Sequence, residues 1–149
     1  MATVDLTELR VYQVAMQVGE EVWSLVDSWP WMAKQTVGLQ WIRSADSIAA
    51  NISEGYGRYS FKENAKFCYY ARGSLRETQT WLTKAGNRNL LPPGKADELS
   101  MRLEAFRRQF DHYIHSLGKS SSDTLREDPP EGLGASVDRL GGGADVPGQ

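Results

Sequence analysis

The sequence predicts an all-α protein, an antiparallel four-helix bundle with a disordered C-terminal tail. Apolar residues recur at spacings of three and four over long stretches, which is the spacing of one face of an α-helix. No segment alternates apolar and polar residues for long enough to indicate a strand. Because 149 residues suit a single core, we assign residues 1–119 to one bundle and residues 120–149 to the tail.

Proline and glycine bound the first two helices. The first is predicted over residues 9–28, because Pro30 disfavours helical geometry in the residue before it. The second is predicted over residues 37–54 and ends at the turn Gly55-Tyr56-Gly57. Its many alanines and serines let neighbouring backbones approach closely, so we place this helix centrally in the bundle.

A capping box and a glycine bound the last two helices. In the S-x-x-E pattern that begins at Ser60, the serine oxygen can accept a hydrogen bond from the glutamate amide, which predicts a helix from Ser60 to about residues 85–87. The fourth helix is predicted over residues 95–117, with Gly118 as its C-cap. Its apolar seam has the alternating spacing of a helix bundle: Ala96, Leu99, Leu103, Phe106, Phe110, Tyr113 and Leu117.

The last part of the chain has the composition of a tail. Residues 120–149 contain 6 of the 14 glycines, 3 of the 6 prolines and few large apolar residues. Such a segment buries too little apolar surface to offset the entropy of ordering it. We therefore expect residues 120–149 to form a flexible, acidic tail.

The middle of the chain is basic, although the net charge of the whole is only -2. Residues 58–119 carry 12 basic and 6 acidic side chains, whereas residues 1–57 carry 3 and 7 and residues 120–149 carry 2 and 6. A clustered positive face attracts polyanions and acidic protein surfaces. This imbalance therefore bears on the partners of the protein rather than on its fold.

A helical projection of the third helix gathers much of this charge on one face. The face that we call the basic stripe consists of Lys62, Lys66, Arg76 and Lys84, which fall within about 40° of one line. Tyr69 lies among them, and Arg72 lies beside them. We predict that this face binds nucleic acid, with a solvated surface as the alternative. The candidate nucleic-acid-binding residues are Lys62, Lys66, Tyr69, Arg72, Arg76 and Lys84.

The first and third helices carry more apolar surface than one core needs. The first has two neighbouring apolar stripes, and the third has an apolar side that spans roughly 160°. Surplus apolar surface of this kind indicates contacts between subunits. We predict a closed homo-oligomer whose interface includes Phe67, Tyr70 and Trp81; the subunit number, five, comes only from the family resemblance given below.

Five polar residues on the second and third helices and near the glycine turn predict a structural network. A partly buried carboxylate is costly unless it is paired. We expect Arg43 or Arg58 to pair with Glu54 or Glu77, while Asn51 bonds to the backbone of the turn. No nucleophile or water-activating arrangement accompanies these residues.

The sequence carries no pattern typical of an enzyme. Di-iron four-helix bundles use inward-facing Glu-x-x-His pairs, which this chain lacks. Cys68 falls on the apolar side of the third helix, where a buried thiol is expected rather than a nucleophile. We expect a non-enzymatic protein with no cofactor and no bound metal.

Cysteine usage and hydropathy predict the compartment. A single cysteine cannot form an internal disulfide, and the first residues lack the basic and apolar pattern of a secretory signal. No uninterrupted apolar stretch approaches the roughly 18 to 20 residues of a membrane span. We expect a cytoplasmic protein with no membrane partner.

Residues 43–58, which read RSADSIAANISEGYGR, carry a specific family resemblance. They resemble the four-helix-bundle family of proteins encoded in intervening sequences of bacterial 23S rRNA genes. The resemblance covers about residues 9–117, with further matching positions at residues 9–13, Ser60, Lys62, Glu63, Phe67 and residues 71–77. Where the family commonly has two adjacent basic residues, this chain has Arg43 followed by Ser44.

Membership in this family implies an all-α bundle that assembles as a ring-like homopentamer. It also implies kinship with the accessory variability determinants of diversity-generating retroelements, which resemble basic barrels that serve a reverse transcriptase and its RNA. The resemblance therefore implies RNA or DNA, and a reverse transcriptase, as partners beside other copies of the chain. The family name records where the genes lie and assigns no activity.

Two functional hypotheses follow. In the first, the protein is an oligomeric module that binds nucleic acid, either structured RNA or an RNA–protein complex, through its basic face. In the second, it is a structural or protein-interaction oligomer with no nucleic-acid ligand. The acidic residues of segments 1–57 and 120–149 weigh against strong nucleic-acid binding, because affinity depends on the number of phosphates neutralised.

Overall fold

Four helices make up most of the chain that the computed structural model describes, which comprises residues 4–124 with side chains up to residue 119. A short 3₁₀ turn, Leu6–Glu8, precedes α1, Arg10–Asp27; the others are α2, Leu39–Tyr56, α3, Phe61–Asn87, and α4, Lys95–Thr124. No strand occurs among these residues, so the predicted all-α four-helix bundle is confirmed. No helix between residues 4 and 124 combines the length and apolar character needed to cross a membrane.

Hydrogen bonds between side chains show that α2 and α3 run antiparallel. Thr78 Oγ1 donates to Ser44 Oγ at 3.0 Å, and Ser74 Oγ donates to Ser47 Oγ at 2.9 Å, so residue numbers rise along one helix as they fall along the other. The helices pack mainly in chain order, with α2 between α1 and α3, and with α3 between α2 and α4. The predicted central position of α2 is therefore confirmed.

The start of α3 follows the capping pattern of its sequence. Ser60 is the N-cap with an extended backbone, and its Oγ accepts a hydrogen bond from the Glu63 amide at 3.2 Å. This bond satisfies one of the amides that the first turn of a helix leaves without an intrahelical partner. The predicted start of the third helix is confirmed.

The segment before α2, which the sequence predicts to be a connection, is helical. After Pro30 the chain forms one α-helical turn, Trp31–Ala33, and then a π-helix, Lys34–Gly38, which leads directly into α2. Proline fits the start of a helix, because the amide it lacks has no intrahelical partner there. Pro30 therefore begins this helical segment as well as separating it from α1.

Helix α4 continues through Gly118, the residue predicted to cap it, as far as Thr124. A glycine closes a helix when it adopts a left-handed backbone, whereas Gly118 remains within the helix. The helix therefore enters the segment assigned to the tail. The remaining tail residues, 125–149, lie outside the described part of the chain.

Large aromatic and aliphatic side chains fill the core. Trp41 is completely buried and stacks on Trp29, with the ring centroids 5.7 Å apart. On α4 the predicted seam is only half-buried at Ala96 and Tyr113, and Ile114 joins the core instead. The other seam residues are buried as predicted: Leu99, Leu103, Phe106, Phe110 and Leu117.

Gly55 lets α2 and α3 approach each other closely near the end of α2. A Cβ atom at this position would lie 2.9 Å from the backbone oxygen of Asn64 and 2.9 Å from Phe67 Cβ. Both atoms belong to α3, and real Cβ atoms do not pack at such distances. Gly55 is thus part of the buried face of α2 rather than of the turn predicted there.

Candidate nucleic-acid interface

The basic stripe lies on the exposed face of α3. All four of its side chains, Lys62, Lys66, Arg76 and Lys84, are exposed. At a rise of 1.5 Å per residue the stripe extends about 33 Å along the helix. Within residues 4–119, no ion pair involves any of the four. Their charge is therefore available to an external polyanion.

Tyr69 and Arg72 form a pair beside the stripe. The Tyr69 side chain is half-exposed, and the Arg72 guanidinium carbon lies 4.8 Å from the centroid of its ring. Arg72 also contacts Asp111 on α4, with 3.3 Å between Arg72 Nη1 and Asp111 Oδ1. Arg72 is therefore oriented by two neighbours, and part of its charge is compensated.

A cavity of about 390 Å³ opens where the stripe meets α4. Helix α3 lines it with Tyr69, Arg72, Gly73, Arg76 and Gln79, and α4 lines it with Arg107 and Asp111. Gln79, Arg107 and Asp111 were not among the predicted site residues. Arg107 and Asp111 lie four residues apart on one helix, and this spacing is the sequence pattern that could have identified these two residues as an ion pair.

The α4 wall of the cavity is held by a cluster of charges. Arg107 contacts Glu104 Oε1 at 2.7 Å and Asp111 Oδ2 at 2.8 Å. The Arg107 hydrogen bond lowers the pKa of Glu104 from its ordinary 4.5 to about 2, and the pKa of Arg107 is raised in turn. Glu104 also accepts a 3.3 Å hydrogen bond from Gln79, which ties α4 to α3.

The Glu104 carboxylate should make folding stability dependent on pH in acid. Because its pKa is lower in the folded protein, its stabilising contribution is present above its ordinary pKa of 4.5 and is lost as the pH falls towards about 2. We expect Glu104→Gln to unfold at a lower urea concentration than the parent protein at neutral pH, with the difference narrowing as the pH falls through this range. A difference that stays constant with pH would contradict the prediction.

The structure corrects the extent of the predicted polar network. Arg58 and Glu54 are joined at 2.6 Å, but both side chains are substantially exposed. Asn51 donates to Ser47 O at 2.9 Å, one turn back along α2, rather than to the glycine turn. Glu77 accepts a hydrogen bond from Trp81 Nε1 at 3.1 Å. Arg43 is exposed and has no ion pair within the described residues. Arg58, Glu54, Asn51 and Glu77 therefore form separate local contacts rather than one network.

The predicted interface residues lie on the side of α3 next to the basic stripe. Phe67 packs edge-on against Tyr70 with ring centroids 5.6 Å apart, and Tyr70 is 51% exposed. Trp81 is half-buried. Four further large apolar side chains are exposed on α1 and just before α2: Met16, Trp23, Trp31 and Met32. One of the two apolar stripes predicted on α1, the one that contains Met16 and Trp23, is therefore partly exposed to solvent.

Cys68 is fully buried, as its place on the apolar face of α3 predicts. Burial raises the pKa of its thiol to about 12, so the thiol is protonated at neutral pH. Between residues 4 and 119 no three histidine, cysteine, aspartate or glutamate side chains come together as a possible metal site.

Comparison with known proteins agrees with this architecture. No curated protein matches the chain. The model of one family matches residues 7–112, a range that includes α1, α2, α3 and α4 as far as residue 112. The matched range also contains the basic stripe and the whole cavity lining. Since this match covers most of the chain, the protein belongs to the family of 23S rRNA-intervening sequence proteins.

Proposed function

We propose that this protein is a non-enzymatic, oligomeric module that binds nucleic acid through the exposed face of α3. The single observation that supports the proposal most strongly is the basic stripe itself. Four cations lie on one helix face, and none of them has an ion-pair partner within residues 4–119. The stripe extends about 33 Å along the helix. A phosphate backbone carries negative charge along its whole length, so it can contact all four side chains, whereas a small anion cannot.

Structured RNA, alone or with a protein such as a reverse transcriptase, is the ligand class that we propose. This part of the proposal rests on the resemblance of the family to retroelement accessory proteins. The stripe by itself favours any phosphate backbone, because phosphate contacts carry little sequence information. Binding should therefore be similar for RNAs of different sequence.

The salt dependence of binding tests the proposal. Four lysine or arginine contacts with a single strand should release about three condensed counterions, so raising salt from about 50 to about 200 mM should weaken binding about 50-fold. Filter binding of a labelled RNA at these two concentrations measures the effect. Absence of binding at the lower concentration would contradict the proposal.

A protein-interaction function is the second candidate, and the exposed apolar side chains favour it. Trp23, Trp31 and Met32 are 59%, 76% and 73% exposed. Large apolar groups on a surface commonly mark contacts with other proteins. We propose that such contacts build the homo-oligomer, with Phe67, Tyr70 and Trp81 at the subunit interface.

Replacing Tyr70 and Trp81 by alanine tests this interface. We expect the double variant to lower the assembled mass in light scattering while retaining its helical circular dichroism, because Tyr70 is half-exposed and Trp81 packs on the core from a half-buried position. Tyr59→Ala, at an aromatic side chain that is 95% exposed, is the matched control. A parent protein that is monomeric at micromolar concentration would contradict assembly, and an unchanged mass of the double variant would place the interface elsewhere.

A further inference from the structure

Gly73 occupies an exposed position in the interior of α3, where the packing of this chain does not require glycine. A Cβ atom there would meet nothing within 4 Å. Glycine in a helix interior lowers stability relative to alanine, because it loses more conformational freedom on folding. The contrast with Gly55, where a Cβ atom would collide with α3, is clear. Gly73 therefore carries a cost in stability that packing within the chain does not offset.

What Gly73 leaves open is the cavity between α3 and α4. The cavity of about 390 Å³ falls within the range of small-ligand pockets. A side chain longer than alanine at position 73 would project into this space, since Gly73 is one of the lining residues. The missing side chain thus contributes directly to the volume available for a ligand.

The charge of the cavity suits an anion. Three arginines line it, Arg72, Arg76 and Arg107, and Asp111 is the one carboxylate among the lining residues. Glu104, just outside the lining, also pairs with Arg107 at 2.7 Å, so the surplus positive charge lies with Arg76 and Arg72. Asp111 contacts Arg72 and Arg107, while Arg76 has no ion-pair partner within residues 4–119. The planar guanidinium fork matches phosphate oxygens in pairs, which an ammonium group does not do.

One other lining residue suits a nucleotide rather than a bare anion. The Tyr69 ring is half-exposed, and the Arg72 guanidinium carbon lies over one of its faces, 4.8 Å from the centroid, so a base can stack on the opposite face. Inorganic phosphate has no group that could stack there.

We propose that this cavity is a subsite for one nucleotide of a single strand. Arg72 and Arg76 bind its phosphodiester, and its base stacks on Tyr69. The inference rests on the proposed function and adds a preference for single strands, because a base that is paired and stacked in a duplex cannot reach Tyr69. Asp111 competes with the phosphate for Arg72 and so limits the affinity.

Fluorescence anisotropy with a labelled single-stranded oligoribonucleotide and its duplex tests this subsite. We expect Tyr69→Leu to weaken single-strand binding at least about fivefold, which corresponds to the lower end of base stacking on an aromatic ring, and to leave duplex binding unchanged. Tyr59→Leu removes a tyrosine that is 95% exposed and does not line the cavity, so it is the matched control.

Two further variants separate ligand binding from folding. Gly73→Leu should weaken single-strand binding to a similar degree without lowering the melting temperature, because leucine favours helix and the position is open. Thr80→Leu, on the same exposed face but outside the cavity, is its control.

Asp111→Asn should strengthen binding about threefold or more, because it removes a negative charge close to the phosphate.

The outcomes distinguish this inference from the proposed function. If Tyr69→Leu and Gly73→Leu bind single strands as the parent does, while loss of the basic stripe abolishes binding, the subsite is overturned and the proposed function stands. If the parent protein binds neither strand form at low salt, both are overturned. If Gly73→Leu changes the assembled mass and Tyr69→Leu binds normally, Gly73 serves a contact between copies, and the subsite is again overturned.

Discussion

Replacing Lys62, Lys66, Arg76 and Lys84 together by glutamine is expected to abolish nucleic-acid binding at physiological salt and to leave the helix content unchanged. All four side chains are exposed, so their loss removes phosphate contacts but little folding energy. In a plot of log affinity against log salt concentration, the slope of this variant should be shallower than that of the parent protein by about three. Four phosphate contacts with a single strand contribute a slope of that size. Filter binding and far-ultraviolet circular dichroism measure the two effects.

A second quadruple variant makes this test independent of net charge. Replacing four exposed arginines outside the basic stripe and the cavity by glutamine removes the same total charge: Arg10, Arg43, Arg88 and Arg108. We expect this control to retain most of the binding. If both variants lose binding equally, net charge rather than the stripe is responsible. If the stripe variant binds RNA like the parent, the stripe is only a solvated surface and the protein-interaction function takes precedence.

Gly55→Ala is expected to lower the free energy of unfolding by about 1 to 3 kcal/mol, the usual effect of overpacking a well-packed interior. The new Cβ atom would lie 2.9 Å from the Asn64 backbone oxygen, so α2 and α3 must move apart. That movement would weaken the buried contacts that the two helices make around Gly55. Urea unfolding followed by circular dichroism measures the change as a lower midpoint with an unchanged slope.

Gly73→Ala is the matched control for this experiment. Both glycines lie within helices, but a Cβ atom at position 73 meets nothing within 4 Å. Alanine there should stabilise the bundle by up to about 1 kcal/mol, because it favours helix over glycine. Opposite signs for the two substitutions would confirm that Gly55 is a packing residue. A neutral effect of Gly55→Ala would show that the helices adjust without cost.

The sequence identified the features that depend on local chain properties. Ser60 caps α3 because its hydroxyl reaches an amide only three residues away. The seam of α4 follows from a spacing that places Leu99, Leu103 and Phe106 on one side of any helix. The basic stripe follows from the same periodicity, so its four side chains could be assigned to one face before the neighbouring helices were known.

Features that depend on neighbouring segments were predicted less well. The sequence around Pro30 predicts the end of a helix followed by a connection. In the structure the residues after Pro30 are helical, from Trp31 to Gly38, and Trp29 before it stacks on Trp41 of α2. Gly118 was expected to end α4, but glycine only permits a left-handed backbone and does not impose one. Proline and glycine each allow two conformations at such positions, and contacts with other parts of the chain decide which one is adopted.

The sequence alone thus determined the four helices, their apolar faces and the basic stripe, because a helix presents its residues in a fixed order. Only the tertiary structure decided which side chains meet across helices. Arg72 and Asp111 lie 39 residues apart in the chain and come into contact because α3 and α4 pack side by side. The cavity at Gly73 and the close approach at Gly55 have the same origin. Each of these features depends on the distance between two helices, and the spacing of residues within one helix carries no information about that distance.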